Sequence, residues 1–181
     1  MGDRYGRKPS HSSVLNWARA LGSVGWTVPP RGRRLIAVDE AAEKADGREV
    51  YVWAAIDVDT GELPAIKATW SRSSLDASPS WAGRSRPART NLCSSWRGGP
   101  WYSWAFRELG LEHYHETFGD RSRVERFFGS LRRRPFFKDI NARRSRIASL
   151  DMLMNLFFVY YNGPRFQEGI GRVPSEVISI I

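Results

Sequence analysis

The chain has 181 residues, of which 41% are hydrophobic and 26% charged, a balance typical of one folded domain rather than of a disordered tail or of two full domains. Its formal net charge of +9 favours a polyanionic partner, because a basic protein displaces the counterions of nucleic acid when it binds. Its single cysteine, Cys93, excludes an internal disulfide and a cysteine metal cluster, which fits a reducing compartment.

A membrane surface is the alternative partner for so basic a chain. The longest apolar run without a charge, residues 152–164, is shorter than the roughly 20 residues that a helix needs to cross a bilayer. We also expect no signal peptide at the start. The sequence therefore predicts a cytoplasmic, nucleoid-associated protein that binds nucleic acid and has no membrane partner.

An amphipathic helix is the first predicted element. Serines that can cap a helix precede apolar residues at helical spacing, namely Val14, Trp17, Ala18 and Leu21. Two prolines and the basic run 31–34 then break the pattern and predict an exposed tether. His11 and Asn16 are candidates for base contacts, with a solvated helix face as the alternative.

Three strands are predicted next, and together they form an antiparallel meander. The first ends in Asp39-Glu40, and Gly61 suits a hairpin between the second and the third. Asp57 and Asp59 lie in that hairpin, where a turn role is favoured over metal binding. The three segments are 35–38, 50–57 and 65–70.

Residues 78–97 lose all periodicity, and they contain serine, proline and arginine but no acidic residue. Because so long a patternless stretch is unusual in a compact domain, it predicts neither helix nor strand. A capped helix beginning at Ser73 precedes it, and the segment 98–102 and a helix over 104–109 follow. Within that segment Trp101 and Tyr102 are interpreted as packing residues, with stacking on a base as the alternative.

Two further helices are predicted after these segments. The first carries Glu125 beside an apolar stripe of Val124, Phe127, Phe128 and Leu131. The second has its stripe at Ile147, Leu150, Met154, Phe157 and Tyr161. Upstream of both, His113 and His115 share one face of a strand, but a zinc site is disfavoured because no further His or Cys lies nearby in the sequence.

In this order, the motifs resemble the catalytic domain of bacterial and archaeal insertion-sequence transposases of the Asp-Asp-Glu class, in particular the insertion-sequence-six type. The matching segments are Leu35-Ile-Ala-Val-Asp-Glu40, the stretch 51–62, Gly98-Gly-Pro-Trp-Tyr102, His115-Glu-Thr-Phe-Gly119 and Val124-Glu-Arg-Phe-Phe128. The similarity runs from about residue 10 to about residue 176, interrupted at 78–97. Tyr161-Asn162 with Arg165 and Gly171-Arg-Val-Pro174 resembles the C-terminal signature of the wider integrase group, with Gln167 in place of the usual histidine.

The resemblance implies an α/β protein with an RNase H-like mixed sheet flanked by helices. Residues 1–33 would be a truncated helix-turn-helix remnant and a basic linker, and residues 34–181 the catalytic domain, disrupted at 78–97. In the family the helix-turn-helix reads the terminal repeats of the element. Because one helix of that unit cannot bury its own apolar face, we expect Trp17 to be exposed.

The resemblance also implies a site of three carboxylates that hold two divalent cations, Mg²⁺ or Mn²⁺, for in-line displacement at phosphorus. Asp39, at the end of the first strand, takes the first carboxylate position, and Glu125 takes the third. The second position is occupied by Arg97, whose positive charge repels a metal ion. Without the family, Asp39 would be interpreted as a turn or cap residue and Glu125 as a salt-bridged surface residue.

A shift of the reading frame is a hypothesis for this defect. Read one base earlier, the codons of Cys93-Ser-Ser-Trp96 carry a central T if the serines use TCN codons, and they then encode four apolar residues where the family has a strand. Such a shift would begin near Ser78 and end near Arg97. The hypothesis fails if neither alternative frame of the coding DNA gives an apolar strand followed by Asp.

The stretch 121–146 is strongly basic, and its arginines are candidates to contact DNA phosphates near the site. A solvated face is the alternative. The candidates are Arg121, Arg132, Arg133, Arg134, Arg143 and Arg144. Of these, Arg132, Arg133 and Arg134 are expected to continue the helix that carries Glu125. The resemblance implies transposon ends and target DNA as partners, with a homo-oligomer assembled on the DNA. The sequence therefore predicts a DNA transposase with impaired strand cleavage and transfer, and the alternatives are a catalytically dead DNA-binding module and the inert product of a decayed gene.

Overall fold

The computed structural model describes residues 8–28, 32–73, 91–94, 107, 113–115, 121–138, 147–163 and 179–180. The helices in these ranges are α1 (His11–Ser23), α2 (Arg121–Arg132), α3 (Pro135–Lys138) and α4 (Ile147–Asn162). The strands are β1 (Trp26–Thr27), β2 (Leu35–Ala45), β3 (Arg48–Asp57), β4 (Ala65–Thr69), β5 (Asn91–Ser94), β6 (His113–His115) and β7 (Ser179–Ile180). The sequence also predicts a helix from Ser73 and a helix over 104–109, and most of both segments lies outside the described residues. The exceptions are Ser73 and Arg107, of which Arg107 is helical.

Five strands form one mixed sheet in the order β4-β3-β2-β5-β6. The pairs β2–β3 and β3–β4 are antiparallel, whereas β2–β5 and β5–β6 are parallel. The predicted antiparallel meander is therefore confirmed, and it forms one half of the sheet. Strands β1 and β7 pair antiparallel in a separate two-stranded ribbon.

The hairpin between β2 and β3 is longer than the sequence analysis predicted. Asp46 and Gly47 have φ of 53° and 74°, the left-handed conformation at both central positions that a two-residue hairpin turn of type I′ requires. Pairing therefore continues to Ala45 and Arg48. The prediction that Asp39 ends the first strand was wrong, because this turn extends β2 past it.

Strand β5 corrects the prediction that residues 78–97 contain no strand. Its four residues pair with residues 35–38 of β2 on one side and with β6 on the other. Hydrogen bonds from two neighbouring strands hold an extended backbone that the local sequence does not specify, because strand preference depends on the sheet around it more than on the residue. Because a strand forms in this segment, a missing strand can no longer support the frame-shift hypothesis. That hypothesis now depends on Arg97 and on the composition of residues 78–97.

The core lies between one face of the sheet and the helices α2 and α4. The predicted stripe of α2 is buried, and Phe127 makes edge contacts with Phe128 and Tyr161 at ring-centroid distances of 5.3 and 5.2 Å. The stripe of α4 is buried from Leu150 onward, while Ile147 packs at its margin. Burial of each such side chain contributes about 1.5–3 kcal/mol to stability, so both predicted stripes are confirmed as core.

Helix α1 begins as predicted, with the Ser10 hydroxyl accepting a hydrogen bond from the Ser13 amide at 3.1 Å. It docks on α4 through Gly22, where an added Cβ would lie 2.7 Å from the Met152 carbonyl oxygen. The expected exposure of Trp17 is confirmed at 59%. Its apolar neighbours on the helix, Val14, Leu15 and Leu21, are exposed as well.

The basic run before β2 is not the exposed tether that its composition predicts. Arg33 is buried, and it donates to the Glu62 carboxylate at 2.5 Å while its Nε lies 3.3 Å from the Asp57 carboxylate. Two acidic partners from the β3–β4 connection thus hold the guanidinium inside the protein. Arg34 remains on the surface, where it bridges Asp59.

None of the helices in the described ranges is both long and apolar enough to cross a lipid bilayer.

Candidate active site

Asp39 lies on the face of the sheet that the helices cover. Successive residues of a strand alternate between faces. Asp39 therefore lies on the same face of β2 as the core residues Ala37 and Ala41, and its partner on β3 is the core residue Ala54. The side chain is half-buried, and its Oδ1 accepts a hydrogen bond from the Glu40 amide at 2.9 Å. The carboxylate is therefore held on the helix side of β2.

Glu40, its neighbour, points to the opposite face. Its side chain is only 3% exposed and forms an ion pair with Arg72. Two consecutive acidic residues thus have separate surroundings, and only Asp39 faces α2.

Glu125 is exposed on α2 and lies next to the buried Val124. Arg132 follows it by seven residues, which is within about 20° of two full helical turns, so both side chains project from one stripe of the helix. Arg132 Nε donates to Glu43 Oε1 at 2.7 Å. The stripe that carries Glu125 therefore meets β2.

Helix α2 packs along β2 and β3, and its direction follows from one longer-range electrostatic interaction and one ion pair. Arg123, near its start, helps to lower the pKa of Asp59, which is bonded to Arg34 just before β2. Arg132, at its end, contacts Glu43 near the end of β2. Helix and strand therefore run in the same direction.

The spacing along the two elements brings Glu125 close to the level of Asp39. Asp39 precedes Glu43 by about 13 Å at the rise of a strand, and Glu125 precedes Arg132 by about 10 Å at the rise of a helix. The difference of about 3 Å is within the length of a glutamate side chain. These spacings put the backbone of Glu125 near the level of Asp39, on the same side of the sheet.

The resemblance to transposases expects the second carboxylate soon after β5. That strand is parallel to β2, and its last residue, Ser94, pairs with Val38, the residue before Asp39. The chain therefore leaves β5 at the level of Asp39. Arg97, three residues further on, lies outside the described residues.

The described residues do not supply the full set of donors for a two-ion site. Asp39 and Glu125 offer the hard oxygen ligands that Mg²⁺ prefers, but no group of three or more His, Cys, Asp or Glu able to hold a metal ion occurs among the residues whose placement is described. The backbone of β6 confirms that His113 and His115 lie on a strand, while their side chains lie outside the described part.

Asp57 and Asp59 serve the turn after β3, as the sequence analysis favoured. Asp57 Oδ1 accepts the amides of Asp59 and Thr60 at 3.0 and 3.1 Å. Asp59 accepts two hydrogen bonds from Arg34 at 2.6 and 3.1 Å, which hold the pKa of its carboxyl below the ordinary value. Both carboxylates are thus occupied by contacts within the turn.

Three of the six candidate DNA-binding arginines have described side chains. Arg132 is paired with Glu43, Arg133 is exposed and donates to the Gly129 carbonyl, and Arg134 is half-buried, with its guanidinium 5.0 Å from the centre of the Tyr160 ring. The expectation that all three continue the helix of Glu125 was wrong, because α2 ends at Arg132 and Pro135 disfavours helical backbone at the residue before it. The side chain of Arg121, like Arg143 and Arg144, lies outside the described residues.

Two polar residues with clear roles were missed from sequence alone. Asn162 is buried, and its amide pairs with both backbone groups of Leu63, at 2.8 and 2.9 Å, which explains the Tyr161-Asn162 motif as a link between α4 and the β3–β4 connection. Glu43 shares the sheet face of Asp39. The Asp46-Gly47 turn signal could have identified Glu43, because it extends β2 to Ala45 and thereby puts residues 39 and 43 on the same face of one strand.

No protein-family model matches the chain. Among curated proteins, the uncharacterized protein MJ0017 of Methanocaldococcus jannaschii is 32% identical over 155 residues, which cover 84% of this chain and 72% of that protein. The uncharacterized protein aq_aa24 of Aquifex aeolicus is 53% identical over 36 residues, 20% of this chain and 30% of that protein.

Solved structures show the fold. A chain of the simian T-cell lymphotropic virus intasome, solved in complex with a PP2A regulatory subunit, matches 92% of this chain and 66% of its own length, with a TM-score of 0.58 and 16% identity. The catalytic core domain of HTLV-2 integrase, solved in complex with magnesium, matches 80% of this chain and 97% of its own length, with a TM-score of 0.53 and 14% identity. The chain therefore belongs to the family of the archaeal protein MJ0017 and has the RNase H-like fold of retroviral integrase catalytic cores.

Proposed function

We propose that this protein is a DNA transposase, a polynucleotidyl transferase whose strand cleavage and transfer are impaired by Arg97. The observation that supports the proposal is the hydrogen bond from Arg132 to Glu43, from which the spacings along α2 and β2 put Glu125 near the level of Asp39, on the helix-covered side of the sheet. Strand β5 ends beside Asp39, and the resemblance to transposases expects the second carboxylate soon after this strand, where the chain has Arg97 instead. The fold shared with integrase cores supports the same chemistry.

Asp39 and Glu125 would hold a divalent cation, Mg²⁺ or Mn²⁺. When bound, such an ion supplies Lewis-acid stabilisation of the reacting phosphate. The carboxylates of this chain fix the ion against the sheet, and the half-buried position of Asp39 keeps that ligand in one orientation. Arg97 supplies a cation where a second ion needs an anionic ligand, so we expect one ion in place of the usual two.

DNA is the proposed partner, as transposon ends and as target, in the cytoplasm at the nucleoid. The net charge of +9 supports it. Among the three candidate arginines with described side chains, Arg133 is best placed to contact a phosphate, because it is exposed and bonds to a neutral carbonyl. Arg132, in contrast, is bonded to the Glu43 carboxylate, and Arg134 is half-buried over the Tyr160 ring. A homo-oligomer on DNA is part of the proposal, since the structural relative was solved as an intasome.

Helix α1 is proposed to be the remnant of a helix-turn-helix that reads element ends. Its exposed apolar side chains support this, because such a face normally packs on a second helix. The docking of Gly22 on α4 leaves that apolar face outside.

A strand-transfer assay with Mg²⁺ or Mn²⁺ and the Arg97→Asp variant tests the proposal. We expect weak or no product from the natural chain and a clear gain from Arg97→Asp, because the change supplies the missing ligand. The matched control is Arg97→Asp combined with Asp39→Asn, which restores one carboxylate while removing another and should lose the gain. Product that survives in the control would contradict the proposed site.

The presence of Arg97 favours one alternative function, a catalytically dead module that occupies DNA ends. That alternative predicts DNA binding with no product in either Arg97 form. An inert product of a decayed gene predicts no cooperative unfolding, which thermal denaturation measures.

A further inference from the structure

We infer that Glu43 is a positioning residue for the two-carboxylate site, acting through Arg132. The inference rests on the proposed function, because it concerns how Glu125 is held opposite Asp39. The contact that carries it is the 2.7 Å hydrogen bond between Arg132 Nε and Glu43 Oε1. It joins the last turn of α2 to the strand that carries Asp39.

The apolar side chains that β2 presents beneath α2 are short. On the helix-covered face of β2, the core residues between and beyond the two acidic positions are Ala37, Ala41 and Ala45. Aromatic contacts of Phe127 with Phe157 and Tyr161 fix α2 against α4, whereas alanine contacts fix its axial position along β2 less firmly. The hydrophobic effect holds α2 against the sheet, but it is not directional.

The ion pair between Arg132 and Glu43 adds a directional contact that fixes the axial position of α2 along β2. Asp39 and Glu43 have the same parity on β2, and Glu125 and Arg132 lie on the same stripe of α2, so a fixed contact at one pair sets the distance at the other. A slip of α2 by one residue moves Glu125 by about 1.5 Å. That is larger than the roughly 0.5 Å within which a functional constellation must be held.

Positioning and simple electrostatics predict opposite results for one variant. Arg132→Gln removes a positive charge near the site, so electrostatics alone predicts tighter binding of Mn²⁺. Loss of positioning predicts weaker binding instead. Glu43→Gln should weaken binding in both cases, and the double variant Glu43→Gln with Arg132→Gln should bind about as weakly as either single one.

Mn²⁺ binding measured by electron paramagnetic resonance, without DNA, is the test. We expect the Kd to rise by roughly tenfold or more in Glu43→Gln and in Arg132→Gln, as for other residues that orient metal ligands. The charge-reversed pair Glu43→Arg with Arg132→Glu keeps the contact and the net charge, and it should restore most of the affinity. The matched control is Glu49→Gln, which removes an exposed carboxylate that accepts from the Tyr51 hydroxyl within β3, and it should leave the Kd unchanged.

The outcomes separate this inference from the proposed function. A natural chain that binds no Mn²⁺ at all overturns both. A natural chain that binds Mn²⁺ while Arg132→Gln binds it equally well or more tightly overturns the positioning role alone. A loss of the same size in Glu49→Gln would also overturn it, because the effect would then be one of general stability.

Discussion

The turn between β3 and β4 and the edge of Asp39 and Glu125 both carry carboxylates, but the protein holds them in opposite ways. At the turn, Asp57 and Glu62 are buried against Arg33. At the edge, Asp39 is half-buried and Glu125 is exposed. The acidic groups at the turn therefore stabilise the fold, whereas those at the edge are partly or largely exposed to solvent.

The largest expected effect comes from removing the cation at the turn. Arg33→Met leaves two carboxylates buried without their partner, which typically costs about 3–5 kcal/mol. The free energy of unfolding from urea denaturation measures it, and Arg33→Lys is the control that keeps the charge but loses the two-armed contact. A loss below about 1 kcal/mol would mean that the turn is not held by this charge.

A smaller loss is expected from the link between the turn and α4. Asn162→Ala removes two hydrogen bonds and leaves the amide and carbonyl of Leu63 buried without that partner, at a cost of about 1–3 kcal/mol. The same denaturation experiment measures it. Because Leu63 and Arg33 belong to one connected region, the double variant with Arg33→Met should lose less than the sum of the two single losses; simple additivity would contradict this coupling.

The exposed ion pair of the turn, between Arg34 and Asp59, should contribute less to the free energy of unfolding, and it should do so only above acidic pH. The hydrogen bond from Arg34 lowers the pKa of Asp59 from its ordinary value of 3.8, so its stabilising contribution is present above that value and is lost as the pH falls through the folded pKa. Both side chains are largely solvated, which limits the contribution to about 1 kcal/mol or less. The difference in unfolding free energy between the natural chain and Asp59→Asn should close below pH 3.8; a difference that is equal at pH 7 and pH 2 would contradict it.

The smallest effect on stability is expected at the edge. Asp39→Asn and Glu125→Gln should change the free energy of unfolding by no more than about 0.5 kcal/mol, because Asp39 is only half-buried, Glu125 is exposed, and substitutions at such surface positions usually have small effects. Thermal and urea denaturation of both variants measure this. A loss above about 2 kcal/mol at either residue would remove the contrast between the two regions.

Sequence patterns predicted the antiparallel half of the sheet better than the parallel half. The strands that form hairpins carry local signals, such as Gly61 and the alternation of β3, and their pairing is confirmed. Strand β5 has no such signal, because its pairing with β2 joins residues far apart in the sequence. The side chains around Asp39 and Glu125 were predicted only through the resemblance to transposases, and the roles of both residues stay predictions.

Charge patterns were harder to interpret than apolar ones. Arg33 and Arg34 are adjacent in a basic run, yet one is buried between two carboxylates and the other lies on the surface. Their difference is created by Asp57 and Glu62, residues of a distant turn, so no local reading of the run could separate them. The same holds for Arg132, whose partner Glu43 lies on another element.

Binding of Mn²⁺ to the natural chain and to Asp39→Asn, Glu125→Gln and the double variant tests the central claim most directly. If both carboxylates hold one ion, each single change should raise the Kd by at least roughly tenfold, and the double change should add little to the larger single effect. Two small effects that multiply in the double variant, or an affinity that neither change alters, would show that Asp39 and Glu125 do not share a site.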